Sequence, residues 1–96
     1  MYLVLMSKRV QKQIERIPEP TKKRLVALVE QLQERGPIQL GWPNYGKLAL
    51  NRYHCHLSHN WVACWYYEKG TIEIEVYYVG SRQNAPYERQ DQGTDI

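Results

Sequence analysis

The segment Arg52-Tyr-His-Cys-His-Leu-Ser58 carries two kinds of side chain in strict alternation. Successive side chains of a strand leave on opposite faces, so Tyr53, Cys55 and Leu57 form an apolar set while Arg52, His54, His56 and Ser58 form a polar one. Such a strand packs one face on a core and leaves the other open. It is predicted over Leu50–Leu57. Two more strands follow, Trp61–Glu68 and Thr71–Val79, joined by Ser58-His-Asn60 and Lys69-Gly70, lengths that suit antiparallel hairpins. In the last strand Ile72, Ile74, Val76 and Tyr78 alternate with Glu73, Glu75 and Tyr77, again a two-residue period.

Towards the N-terminus the period changes. Tyr2-Leu-Val-Leu-Met6 reads as a short buried strand, and Ser7 is placed to cap a helix by accepting from first-turn amides. Val10, Ile14 and Ile17 recur at helical spacing, which predicts a helix near residues 8–17; Pro18 and Pro20 end it. A second helix, near residues 20–35, carries Leu25, Leu28, Val29 and Leu32 on one stripe and stops at Gly36-Pro37. So short a connection makes the pair a hairpin whose apolar stripes need a common partner. Gly41-Trp-Pro-Asn-Tyr-Gly46 is turn-rich, and Lys47-Leu-Ala-Leu50 resumes extended character. The expected architecture is an α+β domain of order β-α-α-β-β-β. Its helical hairpin packs on one face of an antiparallel-rich four-stranded sheet through Val10, Ile14, Leu25, Leu28 and Leu32. Residues 1–87 form the single domain, and residues 88–96 a polar tail.

Composition narrows the function classes. At 96 residues the chain has room for one domain, and its apolar runs fall short of the ~18 residues a membrane span needs. With no basic segment before Tyr2–Met6, a secretory signal is not expected, and a cytoplasmic location is. Two cysteines are too few for a disulfide scaffold. The net charge of +3 is unevenly placed, with Lys8, Arg9, Lys12, Arg16, Lys22, Lys23 and Arg24 crowded into the helical half. A basic face of this kind is either a solvated helix surface or an attraction for nucleic acid or an acidic protein.

The open sheet face holds the side chains with chemistry. Arg52 can meet a phosphate, and the imidazoles of His54 and His56 exchange protons near neutral pH. A zinc set of His54, His56, His59 and Cys64 lacks the CxxC or HExxH context that such sites carry. Strand parity buries Cys55, which argues against a thiol nucleophile. Trp61, Trp65, Tyr66, Tyr67, Tyr77 and Tyr78 serve the core, or in part a platform for stacking bases. Phosphate-binding glycine loops, GxSxG and helix-turn-helix signatures are all missing, so nucleotide hydrolysis and serine chemistry have no support.

Tyr53-His-Cys-His56, Val62-Ala-Cys-Trp65 and Glu75-Val-Tyr-Tyr-Val-Gly-Ser-Arg-Gln-Asn-Ala-Pro-Tyr87, in this order of elements, resemble the RelE/ParE toxins of bacterial toxin–antitoxin systems. The resemblance is nearest to the RelE/HigB-like mRNA interferases and spans about residues 1–87. It implies a metal-independent endoribonuclease without cofactor, cutting mRNA in the ribosomal A site by attack of a 2′-hydroxyl on the adjacent phosphate, and neutralised by a cognate antitoxin. By that resemblance His54 and His56 stand where RelE has two lysines, Arg82 matches a C-terminal arginine, and Tyr87 a nearby tyrosine. The family's arginine on the following strand falls at Val62, which leaves one phosphate ligand to come from elsewhere, such as Arg52. The expected site is therefore His54, His56, Arg82 and Tyr87, with Lys47 and Arg52 guiding the RNA backbone and Glu75 an outside candidate for base. A ParE-like gyrase inhibitor and a non-catalytic antitoxin-binding module are the alternatives.

Overall fold

Ser7 opens the first helix as its hydroxyl accepts from the Val10 amide at 3.2 Å. The computed structural model describes residues 1–86. Tyr87 and the tail over 88–96 lie outside the described residues. In chain order the elements are β1 (Leu3–Met6), α1 (Lys8–Glu15), α2 (Glu19–Arg35), β2 (Gly46–Ala49), β3 (Arg52–Ser58), β4 (Trp61–Tyr67) and β5 (Glu73–Ser81). Pro18, extended at ψ 152°, caps α2, and Pro20 sits in its first turn. Gly36 ends α2 with a left-handed φ of 92° and donates its amide to Leu32 O at 2.9 Å. The Tyr2 ring packs against Gly36 so closely that a Cβ there would lie 2.8 Å from it. Only glycine meets both demands.

The sheet has five strands rather than four, in the order β1-β5-β4-β3-β2. The additional strand comes from a turn at Leu50-Asn51: Asn51 takes a left-handed φ of 65°, which asparagine tolerates, and Ala49 returns opposite Arg52. The strand predicted from Leu50 therefore begins at Arg52. β1 pairs parallel with β5, whereas β2–β3, β3–β4 and β4–β5 are antiparallel. β1 is thus an edge strand and not a buried one: Val4 and Met6 pack on the core, while Leu3 and Leu5 are 49% and 40% exposed.

Both helices lie on one face of the sheet. Val10, Ile17, Leu25, Leu28 and Leu32 meet Tyr53, Cys55, Leu57, Ala63, Trp65, Ile74, Val76 and Val79 in a single buried cluster, with Ile14 half-buried at its margin. Trp65 is fully buried, and its indole donates to Pro37 O at 3.0 Å. Arg24, one of the basic residues of the helical half, is occupied in the fold: its Nε donates to Leu57 O at 3.0 Å, and its guanidinium lies 4.9 Å from the Trp42 ring centroid.

β5 departs from its predicted alternation. The register passes from Cys64↔Tyr78 to Trp65↔Val76, so Tyr77 is the extra residue of a bulge. Val76 and Val79 both face the core, three residues apart, and Tyr78 leaves the apolar set to stand opposite Cys64. Ile72 lies outside the strand and is 62% exposed.

Candidate active site

The alternation in β3 does what elementary strand geometry requires. Tyr53, Cys55 and Leu57 are buried against the helices, whereas Arg52, His54 and His56 are half-buried on the opposite face. Ser58 leaves this row, because a register shift follows His56; its hydroxyl instead lies 3.4 Å from that of Thr21 in α2.

The imidazoles of His54 and His56 have ring centroids 6.5 Å apart, tilted by 54°. His54 rests over its register partner on β2, Gly46, where a Cβ would come within 3.2 Å of Nε2. The His56 amide donates to Pro43 O at 2.8 Å, so the loop before β2 braces this end of β3. Beyond β5 the chain turns back: the Arg82 amide donates to Asn60 O at 2.8 Å, the Asn84 amide to Ser81 Oγ at 3.2 Å, and Ala85 is buried. That anchoring brings the exposed Arg82 within electrostatic reach of His56.

Burial lowers the pKa of both imidazoles below the ordinary value. At His54 the neighbouring His56 adds to the effect; at His56 the charges of Arg82 and His59 do. Both rings are therefore neutral near pH 7, which makes them proton acceptors beside a cation. Cys55 and Cys64 are fully enclosed, and burial pushes each thiol up to about 12, so neither is a nucleophile at neutral pH. Among the described residues no group of three or more His, Cys, Asp or Glu is arranged to hold a metal ion; His54, His56, His59 and Cys64 do not assemble as one.

The remaining expected residues divide. Arg52 shares the histidines' face, its guanidinium 5.4 Å from the Tyr66 ring centroid and 5.0 Å from that of Tyr77. Lys47 pairs with Tyr53 and so leaves the sheet on the face opposite the histidines. Glu75 pairs with Tyr66 on the far side of β4, two strands from His54. Val62, the register partner of His56, is fully buried and offers nothing to a phosphate. Strict alternation already assigns Tyr77 to this face with Glu73 and Glu75; what the bulge adds is Tyr78, which moves here from the core side. The spacing of Val76 and Val79 was the available signal, since two core valines three residues apart do not fit a two-residue period.

No protein-family model matches the sequence, and no curated protein does. Solved structures do. The chain superposes on the isolated RelE toxin of E. coli with a TM-score of 0.67 at 13% identity, covering 100% of both chains. It superposes on a chain of the RelE–RelB complex of Pyrococcus horikoshii with a TM-score of 0.70 at 17% identity, over 88% of this chain and 98% of that one. Against a chain of the YoeB–YefM complex of Staphylococcus aureus the TM-score is 0.65 at 11% identity, over 85% and 98%. The fold is RelE-like.

Proposed function

We propose that this chain is the toxin of a type II toxin–antitoxin pair, an endoribonuclease that cuts mRNA on translating ribosomes in the cytoplasm. The pairing of His54 and His56 on the face that the helices leave open, with Arg82 within electrostatic reach of His56, carries the proposal. The RelE-like fold supports it, since structures of that fold include toxins and complexes of toxin with antitoxin.

The chemistry needs a base, an acid and a counter-charge. One imidazole takes the proton of the 2′-hydroxyl as that oxygen attacks the adjacent phosphorus. The other, through its minor protonated fraction, supplies a proton to the 5′-oxygen as the P–O5′ bond breaks, leaving a 2′,3′-cyclic phosphate. Arg82 offsets the charge that builds on the phosphorane, and Arg52 holds the flanking backbone. Tyr87 orients the substrate or stacks on a base. Lys47, on the other face, has no part in this site. Cleavage here requires no cofactor. The cognate antitoxin takes the apolar groove between α1 and the end of β5, near Ile17, Trp61 and Tyr78.

The buried Val62 favours one other assignment, a module that binds antitoxin without cutting RNA, because a family phosphate ligand is missing there. A ParE-like gyrase inhibitor would likewise leave mRNA intact. Induced expression followed by mapping of mRNA 5′ ends, with and without translation, separates these. New 5′ ends that depend on translation support the ribosome-bound nuclease; growth arrest with intact mRNA eliminates it.

A further inference from the structure

We infer that Arg52, Tyr66 and Tyr77 form a subsite that stacks one base of a single-stranded RNA beside the histidines, an inference that rests on the RNA-cleaving function proposed above. The three side chains come from three strands. Arg52 and Tyr66 are register partners across β3 and β4, and Tyr77 is the bulged residue of β5. The guanidinium lies 5.4 Å from one ring centroid and 5.0 Å from the other, so one cation ties the two rings together. Tyr66 is oriented in turn, since its hydroxyl donates to Glu68 Oε1 at 3.0 Å. Below the platform lies the fully buried Cys64, whose thiol interacts with Tyr77.

Charge decides which way an RNA strand would lie. The β3 side carries Arg52 with the two histidines and Arg82, whereas Glu73 and Glu75 of β5 line the far side of Tyr66 together with Glu68. Phosphates are drawn to the first side and repelled from the second, which turns the bases towards Tyr66 and Tyr77. Arg52 and His54 are two residues apart on one strand, roughly 6.6 Å, which is of the order of one nucleotide step in an extended chain. A base stacked on the platform therefore belongs to a nucleotide adjoining the scissile phosphate. Rings and guanidinium planes stack on any base, and most strongly on the larger purines.

The test uses the full chain and a labelled ten-nucleotide oligoadenylate whose 2′-oxygens are methylated, so that it binds without being cut. Tyr66→Ala and Tyr66→Leu should each weaken binding about fivefold or more, the low end of the loss of one base stack. Tyr66→Phe, which keeps the ring, should stay within about twofold of the native protein, and all three variants should melt within a few degrees of it. Equal affinity of the native protein and Tyr66→Leu overturns the subsite while leaving the nuclease standing. Absence of binding by the native protein, with translation-dependent cleavage intact, also overturns the subsite, because a preformed platform must hold free RNA. Absence of both binding and cleavage overturns the subsite and the nuclease together.

Discussion

The two faces of the sheet are made from the same strands and obey different constraints. On the helix-covered face, Tyr53 and Trp65 stack with Tyr45 at centroid distances of 6.2–6.3 Å, and the Trp65 indole N–H finds a backbone carbonyl. Burial selects shape there, and polar atoms are few and satisfied. On the open face Arg52, His54, His56 and Tyr66 remain half-buried over a floor of Val62 and Cys64, which are fully buried. Titratable groups are kept near solvent but partly desolvated, the condition under which imidazole pKa values move. One face holds the fold together, and the other is free to carry chemistry.

The largest effect is expected on the packed face. Trp65→Ala removes a fully buried aromatic and its hydrogen bond to Pro37, and should cost about 3–5 kcal/mol of stability in a denaturant titration. A loss below about 1 kcal/mol would mean that this face is not the stabilising core.

On the open face the order of effects reverses. His54→Ala and His56→Ala should each reduce mRNA cleavage roughly a hundredfold or more, the range for a lost acid or base, while leaving the melting temperature within a few degrees. Wild-type cleavage by the double variant would remove both histidines from the mechanism.

Acid should distinguish the faces next. Both imidazoles have folded-state pKa values below the unfolded value of ~6.5. Above that pH the rings are neutral in both states, and nothing is lost. As the pH falls below it and on through the folded values, the unfolded chain takes up protons first, so stability declines. The native protein should therefore lose more melting temperature between pH 7 and pH 5 than the double variant His54→Gln with His56→Gln. Identical losses would show that these rings do not couple to folding. The same depression puts the base limb of the cleavage profile below the ordinary imidazole pKa.

The smallest effect belongs to Lys47. Because Lys47 emerges beside Tyr53, Lys47→Ala should change RNA affinity by less than about twofold and leave its salt dependence unaltered. A drop in the salt slope of about one unit would place Lys47 on the RNA path and contradict the strand register.

Local pattern determined much of this protein. Side-chain period alone separated Tyr53, Cys55 and Leu57 from Arg52, His54 and His56, because a strand has only two faces. Ser7, Pro20 and Gly36 marked the helix ends through backbone chemistry that acts over a few residues. Leu25, Leu28 and Leu32 declared a buried stripe in the same way. What depends on partners distant in the chain was decided only by the tertiary structure. The sequence does not show that Gly46–Ala49 would fold back as a fifth strand, nor that the apolar β1 would sit at an edge beside β5, since register and strand order arise from pairing between segments. The bulge that turns Tyr78 from the core side to the open face is likewise a mismatch between two strands, visible only once β4 and β5 are aligned. The approach of Arg82 to His56 depends on a loop tied to Asn60, across 22 residues of chain. Pairing also carried Lys47 away from the histidines.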